Sequence, residues 1–189
     1  MLFTETKLRG AFTVDIQRRG DSRGFFGRSF CQNEFEARGL HPVIAQVNVG
    51  FSVRKGTLRG LHFQSPPKAE AKLVRTTSGA ILDVIVDLRP ESETFLQYVA
   101  VELNADNRTA LYVPPRFAHG YQTLADDTEI SYQTTEPYTP SLEGGLSPLD
   151  PRLAIAWPLV VSEMSEKDAG WPWLDDDASG VRQRMQLAR

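Results

Sequence analysis

The sequence predicts a mainly β domain of the sandwich or barrel class. Short runs of alternating or β-branched residues recur up to about residue 135, and turn chemistry separates them at Asn104-Ala-Asp-Asn107, Pro114-Pro115 and Asp126-Asp127. Their close spacing argues against alternating β-α units, in which strands are separated by longer helical patterns. No internal repeat and no linker divides the chain, so residues 1–189 read as a single domain, within the usual size prior.

The elements follow in order. Asn33 to Arg38 reads as a short helix, with Asn33 as N-cap, Glu36 three residues on and Gly39 as the stop. Val43 to Val49 alternates, with Ile44, Gln46 and Asn48 on one face and Val43, Ala45, Val47 and Val49 on the other. Arg59 to Gln64 reads as a strand that carries His62 and Gln64 on one face and Leu61 and Phe63 on the opposite one. Ile81 to Leu88 is apolar apart from Asp83 and Asp87, lies between Gly79 and Pro90, and predicts a strand covered on both faces. Phe95 to Leu103, Thr109 to Val113, Phe117 to Thr123 and Thr128 to Thr134 complete the strand series. Pro137 to Pro158 reads as an ordered surface loop anchored by Leu142, Leu146, Leu149 and Trp157. Ser165-Glu-Lys-Asp168 has the capping-box pattern and opens a C-terminal helical tail.

Composition narrows the function classes. Lys and Arg number 21 against 24 Asp and Glu, a formal charge of −3, so no overall basic field attracts nucleic acid or an anionic membrane. No apolar run approaches the ~20 residues of a membrane helix. The first ten residues carry Glu5, Lys7 and Arg9 instead of the apolar stretch of a signal peptide. The single cysteine, Cys31, excludes an intrachain disulfide and points to a reducing, cytoplasmic setting. It falls at a helix start with no base nearby in sequence and reads as a bystander.

Three histidines are the candidates for chemistry. His41 precedes Pro42 and reads as a surface loop residue. His62 lies on a strand, and His119 lies where Pro114-Pro-Arg-Phe-Ala-His-Gly120 runs from a turn into a strand. Taken alone, each is more often structural than catalytic. Around them gather Arg23, Arg59, Lys72 and Arg75, a concentration of cations suited to an anionic ligand such as a phosphate, or to pairing with the abundant acids. Tyr132 shares a strand face with Ile130 and Thr128; the pattern alone reads it as core, with a hydroxyl able to serve as a proton donor in a cavity. A metal site is disfavoured: the second position of a His-x-His motif is Gln64, and a site usually needs three protein ligands. Neither a dinucleotide fingerprint, a Walker loop nor a G-x-S-x-G elbow is present.

Together the motifs resemble a family. Asp21-Ser-Arg-Gly-Phe-Phe26, Arg59-Gly-Leu-His-Phe-Gln64, Lys72-Leu-Val-Arg75, Asp83-Val-Ile-Val-Asp87 with Pro90-Glu-Ser-Glu-Thr-Phe95, Pro114 to Gly120, Tyr132, Pro137-Tyr-Thr-Pro140 and Ser165 to Asp168 occur in this order. From about residue 2 to about residue 175 the sequence resembles the dTDP-4-dehydrorhamnose 3,5-epimerases of the cupin superfamily. The resemblance implies a cupin jelly roll with short N- and C-terminal helices, a homodimer, no metal or organic cofactor, and a nucleotide-diphosphate 4-keto-6-deoxy sugar as substrate. It implies that His62 is the base, Tyr132 the acid, Asp168 the carboxylate that orients the histidine, and Lys72 the cation facing the enolate oxygen. It likewise implies that His119 lies near the ketone or phosphate and that Arg59, with Lys167, meets the pyrophosphate. Gln46, Asn48 and Tyr138 fall to the nucleotide, and Arg23 reaches the ligand across the dimer interface. Phe26 and Arg28 belong to the segment that contacts the nucleoside.

One position departs from the pattern: Arg28 stands where the family commonly has a glutamate, so a donor-only cation replaces an acceptor. This opens CDP or GDP as alternative carriers and a C3-only epimerase as an alternative outcome. Two other classes compete: a metal-dependent cupin enzyme built on His62 and His119, and a sugar-nucleotide-binding module without catalysis. Asp168 also has a second reading, as a residue of the helix N-terminus.

Overall fold

A computed structural model describes residues 1–187. In chain order the strands are β1 (Leu2–Glu5), β2 (Phe12–Asp15), β3 (Arg19–Asp21), β4 (Gly24–Phe26), β5 (Gln46–Ser52), β6 (Leu58–Gln64), β7 (Lys72–Ser78), β8 (Ala80–Asp87), β9 (Tyr98–Asn104), β10 (Ala110–Val113), β11 (Phe117–Thr123), β12 (Thr128–Thr134) and β13 (Glu143–Gly145). The helices are α1 (Gln32–Glu36), α2 (Glu166–Ala169) and α3 (Ser179–Arg184). A six-stranded sheet runs β1-β2-β10-β7-β12-β5 and a five-stranded sheet runs β13-β6-β11-β8-β9, with β3-β4 as a separate hairpin. Every strand pairing in the two large sheets is antiparallel, as the expected cupin-type jelly roll requires.

Alternation along the strands sorts apolar side chains into three layers. Between the sheets, Val74, Leu111, Val113 and Ile130 from one meet Ile81, Ile85, Leu103, Phe117 and Tyr121 from the other. Outside the five-stranded sheet, Leu61, Phe63, Val86 and Ala118 lie under Leu146, Leu153, Leu174, Val181 and Met185 of the C-terminal segment. Outside the six-stranded sheet, Val14, Leu73, Ala110 and Tyr112 pack with Phe35 of α1. Strand β10 shows the rule residue by residue: Ala110 and Tyr112 face out, and Leu111 and Val113 face in.

The structure corrects several element expectations. Cys31, not Asn33, is the N-cap of α1, and no side chain caps the helix. The strand expected from Val43 begins only at Gln46, and its outward residues Val47, Val49 and Phe51 are exposed because the outer layer around Phe35 does not extend over β5. Phe95 and Leu96 precede β9, in a turn where Leu96 has positive φ, instead of opening the strand. The Pro137–Pro158 stretch is not purely loop: a 3-10 turn (Pro140–Leu142) leads into β13, which pairs with β6. Leu146 anchors it, whereas Leu149 is exposed. Lys72 and Val74 face the interior, so Arg75 turns to the opposite face of β7 and does not join the cation group. His41 is exposed, as expected for a loop residue.

Candidate active site

At one end of the inter-sheet space the inward positions switch from apolar to polar. On β12, Ile130 belongs to the core, whereas Tyr132 and Thr134 line a cavity; on β7, Val74 gives way to Lys72. Gln46 and Asn48 come in from β5, where Asn48 is the register partner of Tyr132, and His62 and Gln64 come in from β6. The cavity has a volume of about 450 Å³ and is also bounded by Glu70, Tyr138, Glu143 and Lys167. A second cavity of about 200 Å³ shares His62, Lys72 and Tyr132 and continues to Arg59, His119 and Tyr121. Both cavities lie between the sheets, so groups on β6 and β12 can approach a ring from different sides.

A close backbone approach brings β6 and β11 together. Gly60 has φ of 112°, and a Cβ there would stand 2.6 Å from the Gly120 Cα, so neither chain can carry a side chain inward at this crossing. The register between these strands shifts between His119 and Tyr121, where Tyr121 pairs with Arg59.

His62 Nε2 lies 2.6 Å from Asp168 Oδ1. The Gly60 amide donates to Asp168 Oδ2 at 3.2 Å. Burial opposes ionisation of Asp168, but the bonds from His62 and Gly60 outweigh it and hold the carboxyl below its usual range. Ser165 caps α2 by accepting the Asp168 amide at 3.0 Å, while the Asp168 carboxylate turns to His62 instead of back to the cap. Asp168 therefore supplies a capped amide to the helix N-terminus and, through its carboxylate, a partner to His62.

His119 makes the same kind of bond, Nε2 to Asp83 Oδ1 at 2.6 Å, deeper in the core. Asp83 is fully buried, and burial pushes its carboxyl up despite the opposing imidazole. Burial also raises the Tyr132 phenol, and the Glu70 charge adds to it while Arg59 opposes. Lys72 is ion-paired with Glu70, and its Nζ stands 5.8 Å from the Tyr132 ring centroid. At the mouth, Glu143 accepts from Tyr138 Oη at 2.8 Å and from Lys167 Nζ at 2.6 Å.

Of the expected site residues, the structure brings His62, Tyr132, Lys72, Gln46, Asn48, Tyr138, Lys167, Arg59 and His119 onto these two joined cavities, with Asp168 behind His62. Arg23, Phe26 and Arg28 line neither cavity of their own chain. Arg23 projects from the β3–β4 hairpin and pairs with Asp21, and Phe26 is exposed. Arg28 pairs with Glu34 at 3.3 Å. Sequence reading missed Asp83, Glu70, Glu143 and Trp171, whose ring packs edge-on to His62 at 6.2 Å between centroids. Asp83 did leave a signal, a carboxylate inside an apolar strand. Among the described residues no group of three or more His, Cys, Asp or Glu side chains is arranged to hold a metal ion.

A family model described as dTDP-4-dehydrorhamnose 3,5-epimerase matches residues 5–176. The chain belongs to this family. It is an enzyme of the isomerase class, an epimerase. The family's dTDP-4-dehydrorhamnose 3,5-epimerase from Salmonella typhimurium is 41% identical over 177 residues, covering 93% of this chain and 96% of the relative. A crystal structure of the Bacillus anthracis dTDP-4-dehydrorhamnose 3,5-epimerase with TDP and pyrophosphate bound superposes with a TM-score of 0.88 at 42% identity, covering 92% of this chain and 99% of that one. A 3'-monoepimerase from Streptomyces bikiniensis in complex with dTDP-quinovose superposes with a TM-score of 0.86 at 32% identity, covering 97% and 91%. No helix among the described residues is long and apolar enough to cross a membrane.

Proposed function

We propose that this chain, as one cupin-type domain, inverts C3 and C5 of a dTDP-linked 4-keto-6-deoxy hexose without a metal or organic cofactor. The observation that carries the reading is the His62–Asp168 pair on the β6 side of a cavity whose β12 side presents Tyr132. The C4 ketone acidifies the protons on its neighbouring carbons. His62 takes one such proton, and Asp168 stabilises the imidazolium that forms. The electron pair moves into the C4 oxygen as an enolate, which Lys72 stabilises electrostatically. Tyr132, kept protonated by burial, returns a proton from the other face, and the centre inverts. Arg59, His119 and Lys167 meet the diphosphate and ketone side, and Gln46, Asn48 and Tyr138 meet the nucleoside.

The reading includes a homodimer in the cytoplasm. The outward side of edge strand β5 exposes Val47, Val49 and Phe51, with Val53 just beyond, an apolar stripe suited to a second copy. Arg23, Phe26 and Arg28, which miss the cavity of their own chain, then serve the partner's ligand. The similarity to a 3'-monoepimerase favours one second reading, inversion at C3 alone.

The test is NMR-monitored exchange in D₂O with dTDP-, CDP- and GDP-linked 4-keto-6-deoxy sugars. Deuterium at both carbons of the dTDP substrate, lost in His62→Ala, is expected; Tyr132→Phe retains exchange but loses full inversion. Exchange at C3 alone selects the monoepimerase, and preference for CDP or GDP overturns the dTDP assignment. Metal-dependent turnover, abolished by chelation, or tight binding without exchange overturns the mechanism.

A further inference from the structure

Glu70 is a carboxylate on the cavity wall to which the mechanism above gives no role. It precedes β7, and its side chain is 12% exposed beside Lys72 at 11%. We propose that Glu70 is a positioning residue for the epimerisation, holding the Lys72 ammonium on the Tyr132 side of the cavity and setting a negative charge beside the phenol. The inference rests on the functional reading just given and deepens it.

Two observations support this independently. The first is geometric. An ammonium this buried needs a counter-charge, because desolvating it alone is costly. Glu70 is the carboxylate that pairs with Lys72, and the pair sits where Lys72 also approaches the Tyr132 ring at 5.8 Å. Losing Glu70 leaves the four-carbon Lys72 stem with no fixed partner before substrate arrives.

The second is electrostatic. Tyr132 shares the two cavities with Glu70 and Lys72 from the β7 side, His62 and Arg59 from β6, His119 and Tyr121 from β11, and Tyr138, Glu143 and Lys167 at the far wall, while β5 contributes the uncharged Gln46 and Asn48. Glu70 is the carboxylate that disfavours phenolate here, adding to burial, whereas Arg59 opposes it. A returning acid must still hold its proton when the enolate forms. The Glu70 charge therefore acts on both partners of the second half of the reaction, the oxyanion holder and the proton donor.

The test uses Glu70→Gln, which keeps an acceptor but removes the charge, and Glu70→Ala, which removes both. Phenolate absorbance titrations of the parent and of Tyr132→Phe isolate the Tyr132 ionisation by difference. The same pair is then measured in the Glu70→Gln background. Tyr132 is expected to ionise at lower pH once the carboxylate is gone, with the alkaline limb of kcat following. Glu70→Ala is expected to lose about 10-fold in kcat with KM changed less than about twofold, since the misplaced lysine is felt mainly at the enolate. A phenolate titration that does not move in Glu70→Gln overturns the proposal, as does Glu70→Ala with kcat within about twofold of the parent. The titration needs no substrate, so it reads Glu70 even if the exchange experiment overturns the functional reading.

Discussion

His62 and His119 are register partners on neighbouring strands β6 and β11, and each Nε2 lies 2.6 Å from a carboxylate oxygen, Asp168 for one and Asp83 for the other. The two pairs differ in surroundings. The His62 side chain remains 38% exposed to the cavity, whereas His119 is 10% exposed and Asp83 fully buried. The exposed pair opens onto both cavities, and the buried one stands at the wall of the smaller one.

Asp168→Asn is expected to fold and to lose about 100-fold or more in kcat, because the imidazolium formed in the reaction loses its counter-charge. Single-turnover kinetics in D₂O measures this directly. Near-parental exchange in a folded Asp168→Asn protein would remove the dyad from the mechanism.

The two carboxylates give opposite pH dependences of stability. Asp168 is held below its unfolded value of about 3.9, so its contribution is present above that pH and disappears as pH falls through the folded value. Asp83 is pushed up, so its contribution is present below about 3.9 and is lost as pH rises through the folded value. Urea unfolding of parent, Asp168→Asn and Asp83→Asn across acid to neutral pH reads both. The acid-side loss should shrink in Asp168→Asn, and the parent's relative loss on raising the pH should shrink in Asp83→Asn.

Gly145→Ala probes the wall behind His62. A Cβ at Gly145 would stand 2.2 Å from the Trp171 ring, far inside contact distance. Trp171 packs against His62, so the ring must shift and the imidazole with it. We expect a loss of about 1–3 kcal/mol in stability and a fall in kcat larger than the change in KM. Unchanged kcat in Gly145→Ala would show that Trp171 does not set the His62 orientation.

Leu103→Ala separates packing from chemistry. Leu103 is fully buried between the sheets, pairs with Ile81 and bounds neither cavity, and its truncation should cost about 2–5 kcal/mol in chemical denaturation. The folded fraction should keep its parental kcat.

Val47→Lys tests the apolar stripe on β5. Val47 is 62% exposed on the outward face of the edge strand and bounds neither cavity, so the substitution leaves the site untouched. Sedimentation velocity should show a dimer for the parent and a monomer for the variant, with ligand affinity falling as the partner's Arg23 and Phe26 are withdrawn. A variant that stays dimeric would place the interface elsewhere.

Local pattern determined much of this protein. β11 and β12 run over the residues read from alternation, because two-residue periodicity and nearby turn residues are properties of a short segment. The shared face of His62 and Gln64 followed from the same periodicity, whereas its direction, toward the cavity, came from the packing of the two sheets. Where a helix or strand starts depends on what covers it, so α1 begins near Cys31 without a side-chain cap, and β5 starts three residues late at an edge. The valines of β5 show the limit clearly: alternation separates two faces but does not say that the apolar one is left outside. Nor could sequence spacing pair His62 with Asp168, 106 residues away, or His119 with Asp83, 36 residues away, or set Glu70 against the lysine that the cavity uses. Sequence motifs named most of the cavity residues. The resemblance named Asp168 for His62, but tertiary structure supplied the contact and the second pair, because a hydrogen bond depends on the position of atoms in space: α2 packs Asp168 against β6, and neighbouring strands β11 and β8 bring His119 to Asp83.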